Sequence, residues 1–274
     1  MRFPILRFGV VSAAESVGSS TFRADLEKVG RALGYSLGTT VQCRIVSKHA
    51  QLTALLSQNQ VDAAWVPPVV ALDCVEKRIA RPRIALVRQK ETTYHAVLFS
   101  LEGAAVKSLA DLQNIRVAWV SPESASGYLV PLASLRTRGM AQSKAFSSQV
   151  FFGSHEAVSR AVAEGKADVG ASFAHFESAN MRELVSASWT ECKLDAQFRV
   201  LLSAGPIPTD VIVTHRSMDD GHQQALVSAF SGLLSKPEHA EASNAVFQCD
   251  GFTGCGDEHL GGLSKLIRLL DRRS

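Results

Sequence analysis

One order of elements is written twice in this chain, and that repetition restricts its fold more than any other feature. In the first statement, an apolar run at Leu6–Val11 opens into a loop of small polar residues from Ser12 to Ser16. A helix-patterned stretch over Thr21–Leu33, a strand at Val41–Val46, a helix over Gln51–Ser57 and a short buried strand at Val61–Val66 follow. The second statement runs from a strand at Ile115–Val120 through the loop Ser121–Gly127 to a helix over Tyr128–Arg138. A strand at Val150–Phe152, a helix over His155–Glu164 and a strand at Asp168–Ser172 complete it. Both end on an aspartate before small residues, Val61-Asp62-Ala63-Ala64 and Ala167-Asp168-Val169-Gly170-Ala171. Apolar strands alternating with helices of period 3.6, with Phe22, Leu26, Val29, Ala32 and Leu33 on one helix face, specify parallel sheets covered by helices.

Two such units predict a two-lobed α/β protein: two open α/β domains joined by two crossing segments, with a ligand cleft between. Pro67-Pro68 halts the first short strand and a helix follows over Val69–Lys77. Strands at Arg83–Val87 and Tyr94–Ser100 lead towards the second unit. A strand at Arg199–Leu202 and the stretch Gly205–Asp210 lead back to a strand at Val211–Thr214. Helices near Gln223–Leu234, His239–Val246 and Leu260–Leu270 finish the chain. Crossings near Lys90–Tyr94 and Ala204–Asp210 divide it into a discontinuous lobe 1, residues 1–91 plus 210–274, and lobe 2, residues 92–209.

Several function classes fall away on composition. The net charge of +3 is small and the basic residues are scattered, which argues against nucleic acid. The one dense cluster, Arg268, Arg272 and Arg273, reads as a solvated helix end. No run reaches the ~18 apolar residues of a membrane span, so the chain is expected not to span a membrane. Met1-Arg2-Phe3-Pro4 leads directly into a strand, so the expected compartment is cytoplasmic as the sequence stands and periplasmic if a leader has been removed. Five dispersed cysteines, at 43, 74, 192, 249 and 255, suggest free thiols rather than a disulfide framework. They carry no CxxC spacing and no paired histidines, so no metal site is expected. Gly34-Tyr35-Ser36-Leu37-Gly38 is a turn and not a dinucleotide loop. No nucleophile–base pair stands at a recognisable spacing, so neither catalytic residues nor a cofactor are expected, and the chain is expected to be a monomer.

The sharpest local signal is Ser121-Pro122-Glu123-Ser124-Ala125-Ser126-Gly127-Tyr128-Leu129-Val130-Pro131. A strand ends, small hydroxyl residues follow, and a helix begins close to Gly127. The first turn of a helix leaves backbone N–H groups without intrahelical acceptors and carries partial positive charge. Serine hydroxyls beside those donors make a site for a phosphate-like anion without a metal. Plain N-capping by serine is the competing reading.

This loop resembles that of phosphonate-binding proteins of bacterial ABC importers, which have a type 2 periplasmic-binding-protein fold and in which a Ser-Thr-Ser-Gly run holds the phosphonate oxygens. The resemblance continues in order over nearly the whole chain, through QVDAAWVPPVVAL (60–72), ETTYHAVL (91–98), GSHEAVSRAVAEGKADVGAS (153–172) and GPIPTDVIV (205–213). It implies a solute-binding protein that closes around a small oxyanion (phosphonate, phosphate or a relative), with an ABC permease as partner, or a cytoplasmic or sensor version of one. It further implies Ser124, Ser126 and His155 as anion contacts together with the N–H groups of Ala125 to Gly127, Tyr94 as a contact from the first crossing, and Asp210 in the place of an acidic residue that meets a ligand amino group. Ser12, in the first small polar loop, and His49, where the family often has a tyrosine, complete the candidate set. Each has a plainer reading: His155 as a helix cap, Tyr94 as a buried strand aromatic, Asp210 as a turn residue. Three departures stand out. Ala125 replaces the family's threonine, His49 its tyrosine, and Ser172 an acidic contact, which weakens the case for an aminoalkyl-phosphonate. A cytoplasmic enzyme on the same fold, resembling chorismate dehydratase or pyrimidine-precursor synthases, is the alternative.

Overall fold

The computed structural model of the protein describes residues 5–12, 20–140, 146–177 and 183–271. The chain divides into two compact units, Met1–Thr92 with Pro208–Gly261, and Thr93–Ile207 with Gly262–Ser274.

The first unit starts with β1 (Leu6–Val11), whose alternate side chains Leu6, Phe8 and Val10 are fully buried. Helix α1 (Ser20–Leu37) lays Leu26, Val29, Ala32 and Leu33 on that apolar face. β2 (Val41–Val46) pairs parallel with β1, and β3 (Ala63–Val66) does so on the other side. Helix α2 (His49–Ser57) packs so closely over β1 that a Cβ on Gly9 would lie 2.4 Å from Leu52 Cδ1. Pro67-Pro68 acts as read from sequence: Pro67 caps helix α3 (Pro68–Glu76), and Pro68 takes a first-turn position where its missing N–H costs nothing. β4 (Ala80–Val87) follows.

The second unit contains β5 (Thr93–Leu101), β6 (Ile115–Trp119), α4 (Val130–Thr137), β7 (Phe146–Phe151), α5 (His155–Ala163), β8 (Val169–Phe176), β9 (Leu184–Ala187), α6 (Ser188–Glu191) and β10 (Phe198–Pro208). Its sheet order is β10-β5-β8-β6-β7, with β9 on β8. β6 runs parallel to both β7 and β8, so these three strands point their carboxyl ends the same way. Gly170 in β8 leaves no room for a Cβ, which would lie 2.8 Å from Phe99 and 2.9 Å from Val158 and Val162. The chain then returns to the first unit with β11 (Val211–His215), α7 (Asp220–Ser231), α8 (Pro237–Phe247) and β12 (Gly251–Gly254), closing a sheet of order β12-β4-β11-β3-β1-β2. Helix α9 (Gly261–Asp271) ends the described chain.

The repeated grammar has a repeated clamp. In the first unit the Asp62 carboxylate accepts from the Arg7 backbone N–H (2.7 Å) and from its guanidinium (2.9 and 2.5 Å), while the Asp62 N–H donates to Arg7 O (2.9 Å). In the second, Asp168 does the same with Arg116, at 2.7, 3.1 and 2.6 Å, and its N–H donates to Arg116 O at 2.9 Å. The two pairs tie the loops before β3 and β8 to the second residues of β1 and β6. A bidentate pair with a backbone donor holds that register more firmly than one exposed ion pair would.

Some expectations need correction. The strand read over Arg199–Leu202 is longer, because β10 runs on through Gly205 to Pro208. β10 is an edge strand of its sheet, where a proline without an N–H breaks no ladder bond. The helix read over Tyr128–Arg138 divides into a π-helical turn and α4. The tail from Gly262, read as part of lobe 1, groups with the second unit, where a Cβ on Gly262 would sit 3.8 Å from Pro206 O. Among the described residues no helix is long and apolar enough to cross a membrane. The five cysteines are unpaired, and burial pushes Cys43, Cys74 and Cys249 up to about 11 and Cys255 up to about 12.

Candidate functional site

The serine loop lies at the carboxyl end of β6, the side of an open α/β sheet where ligands bind. Its residues fold into a π-helical turn, Ala125–Leu129, that runs straight into α4. Ser124 is the N-cap: its Oγ accepts from Gly127 N–H at 3.0 Å, and its carbonyl accepts from Leu129 N–H at 3.0 Å. Capping occupies a lone pair of that oxygen and leaves its O–H to donate, so the cap and ligand readings of Ser124 are compatible. Ser126 is 1% exposed. The N–H groups of Ala125 and Ser126 head the turn, where helical geometry supplies no acceptor. Gly127 has no alternative here. A Cβ would lie 2.3 Å from Val120 Cγ2 and 2.8 Å from the capping Ser124 Oγ.

Val120 ties this turn to the next segment. Its N–H donates to Gly127 O at 3.1 Å, and its carbonyl accepts from Gly153 N–H at 2.9 Å. Gly153 leads into Ser154, whose Oγ caps α5 by accepting from Ala157 N–H at 3.1 Å. The cap is therefore Ser154, and His155, in the first position of the helix, is not held there as one. The His155 ring is fixed instead by its surroundings: Nδ1 lies 2.7 Å from Oγ of the fully buried Ser172 on β8, and the Phe173 ring meets it edge-on at 4.9 Å.

Tyr94, at the start of β5, is half-buried. Its ring lies 6.2 Å from His175, which lies 6.1 Å from Phe173. Tyr94, His175, Phe173 and His155 thus form a line of rings within the second unit. Its next neighbour His95 is pushed below the ordinary histidine range by burial. His175 is not singled out by the sequence, and Ser172, which the resemblance places at a contact position, meets His155 only through the fold; both lie on β8, which pairs with β5 and β6.

The remaining candidates, Ser12, His49 and Asp210, belong to the first unit. Ser12 follows β1, its N–H donates to Val46 O at 3.1 Å, and among the described residues its buried Oγ has no partner. Thr214 and Ser243 share that condition, so burial alone does not single Ser12 out; its place at the carboxyl end of a parallel strand does. His49 opens α2, as His155 opens α5. Asp210 is ion-paired: Arg88 Nη2 lies 2.9 Å from its Oδ2, and Arg88 also donates to Gln248 O (3.0 Å) and Phe247 O (3.1 Å). Among the described residues no group of three or more His, Cys, Asp or Glu side chains could hold a metal ion.

A family model described as the phosphonate periplasmic substrate-binding protein of ABC transporters matches residues 8–260. The phosphate-import protein PhnD of Mycolicibacterium smegmatis is 25% identical over 173 residues, which are 60% of this chain and 54% of that protein, about half its length. A binding-protein component of an ABC phosphonate transporter from Pseudomonas aeruginosa superposes with a TM-score of 0.72 at 20% identity, over 98% of this chain and 87% of its own. PhnD1 of Prochlorococcus marinus, solved with methylphosphonate, gives 0.73 at 16% identity over 98% of both chains. These likenesses show a two-lobed periplasmic-binding-protein fold.

Proposed function

Because this chain belongs to the family of phosphonate substrate-binding proteins of ABC transporters, we propose that it is a receptor that holds one small phosphorus oxyanion, phosphonate or phosphate, for a membrane permease. One observation carries the reading more than any other. The turn from Ser124 to Gly127 stands at the carboxyl end of β6 with its cap formed, Ser126 buried, and the segment leading to His155 bonded to the same residue, Val120. A tetrahedral oxyanion there accepts from the Ser124 and Ser126 hydroxyls and from the N–H groups of Ala125 and Ser126. The His155 ring and the Tyr94 hydroxyl add donors, and neither a metal nor a cofactor is required. Ser12, His49 and Asp210, which the resemblance also implies as contacts, lie in the first unit, and among the described residues the buried Ser12 hydroxyl has no hydrogen-bond partner. Of the three passages of chain between the units, at Thr92–Thr93, Ile207–Pro208 and Gly261–Gly262, the first two support a hinge as the moving part.

The alternative of an enzyme on the same fold finds no support, since the matching family consists of transport receptors. Calorimetry with inorganic phosphate and with methylphosphonate tests the proposal. It expects one site per chain with a Kd of about micromolar or tighter, and ligand recovered chemically unchanged. Failure of both anions to bind, or conversion of either, contradicts it.

A further inference from the structure

We propose that the first unit carries a second ligand site, in the cleft between α7 and the end of β12, and that it takes a small zwitterion, a free α-amino acid, with the carboxylate on Arg83 and the ammonium group towards Asp220 and Glu258. The cleft has a volume of about 620 Å³, within the ordinary range for small-molecule sites, and all of its lining residues belong to the first unit. The proposal does not depend on the oxyanion reading.

Arg83 is the group that lacks a counterpart. It is half-buried in β4, and its Nε is shielded from solvent. Among the described residues its guanidinium makes no hydrogen bond and no ion pair, and it is the one arginine or lysine with a buried nitrogen left unpartnered. A charge taken out of water is costly unless it is paired. Cys255 lies alongside, its backbone N–H donating to Arg83 O at 2.9 Å, but burial pushes its thiol up to about 12, so it supplies no negative charge at neutral pH. A ligand carboxylate would meet the guanidinium fork with two parallel hydrogen bonds.

The rim supplies the complement. Asp220, in the first turn of α7, and Glu258 are exposed carboxylates lining the same cleft. Glu258 is folded back over Gly256, where a Cβ would collide with its carboxylate. A simple anion would meet Arg83 but would also face both carboxylates. A simple cation would leave Arg83 unmet. A ligand carrying both signs satisfies all three groups. The cleft is also distinct from the Asp210 candidate of this unit. Arg83 stands in the first half of β4, whereas Asp210 O accepts from the N–H of Leu86 in the last half, at 3.0 Å.

Calorimetry with the common L-amino acids, each compared with its Nα-acetyl derivative, tests the site. At least one amino acid is expected to bind with a Kd of about millimolar or tighter, and acetylation, which removes the ammonium charge and keeps the carboxylate, is expected to weaken it by about tenfold or more. Arg83→Gln should abolish that binding, while the unliganded variant melts no lower than the parent because an unmet charge has left a half-buried position. Asp220→Asn combined with Glu258→Gln, both at exposed positions, should bring the amino acid and its acetyl derivative to equal affinity. The proposal is overturned by failure of every amino acid to bind, by equal binding of an amino acid and its acetyl derivative to the parent, by binding that survives Arg83→Gln, by an undiminished preference in the double variant, or by a lower melting temperature of Arg83→Gln, which would make Arg83 structural. Phosphate and methylphosphonate, titrated separately into the parent, report on the oxyanion reading alone.

Discussion

Replacing Ser126 by alanine separates a ligand loop from a helix start that merely looks like one. The cap of this turn is the neighbouring Ser124, whose Oγ receives the Gly127 N–H at 3.0 Å, so the Ser126 hydroxyl is not needed to begin the helix. A hydroxyl donating to an oxyanion contributes about 1.5–3 kcal/mol net, so Ser126→Ala is expected to weaken phosphate or methylphosphonate binding by about tenfold to a hundredfold. The unliganded protein should scarcely notice. Ser124→Ala is the contrasting variant: losing the cap costs about 1 kcal/mol, which for a chain of this size lowers the melting temperature by roughly 2–4 °C, and affinity falls as well. Affinity is read by calorimetry and stability by thermal melting without ligand. If Ser126→Ala melts several degrees lower yet binds phosphate as tightly as the parent, the hydroxyl is structural and the argument for this loop fails.

Further outcomes can be checked with the same preparations. Gly127→Ala forces a methyl into Val120 and the capping hydroxyl, and overpacking of this kind costs about 1–3 kcal/mol; binding should be lost together with stability, and a variant that melts and binds like the parent contradicts the packing described. Denatured, unreduced protein should titrate five thiols, whereas a count of three or fewer would reveal a disulfide. Because burial raises the folded pKa of Cys43, Cys74 and Cys249 to about 11 and of Cys255 to about 12, their contribution is complete below the ordinary thiol range and is lost as pH rises through it. Alkaline melts should therefore fall from about pH 9 upward, and a flat profile to pH 11 contradicts it. The Arg116 guanidinium, through its hydrogen bond, holds Asp168 below the usual carboxylate range, so its contribution is present above that range and is lost as pH falls through the folded value. Asp168→Asn should flatten the acid limb of the stability profile, and an unchanged limb counts against the clamp.

The parts of this fold that were legible in the sequence are those set by local pattern. Asp62 and Asp168 could be matched because each precedes a run of small residues that opens a strand, and their clamps on Arg7 and Arg116 are alike in geometry. The Ser124–Gly127 turn was legible because a helix start needs small polar residues and close packing needs glycine. What stayed hidden depends on partners distant in sequence. Ser172 meets His155 only because α5 lies over β8, and Arg88 meets Asp210 across 122 positions once β4 and β11 pair. Pro206 and Pro208 lie within β10, and nothing local tells that a strand running through two prolines lies at a sheet edge. β9 and β12, four residues each, are too short to show a period of two. The π-helical register at Ala125–Leu129 likewise comes from fitting Gly127 under Val120, a contact that hydrophobic spacing does not encode.

The central claim is that a phosphorus oxyanion sits on the turn that follows β6, and a crystal structure of the protein grown with inorganic phosphate or methylphosphonate tests it most directly. The account predicts ligand oxygens within about 2.7–3.2 Å of Ser126 Oγ and of the Ala125 and Ser126 backbone nitrogens, with the His155 ring still bonded to Ser172. A ligand bound with full occupancy elsewhere in the molecule, its oxygens out of reach of that turn, would contradict it.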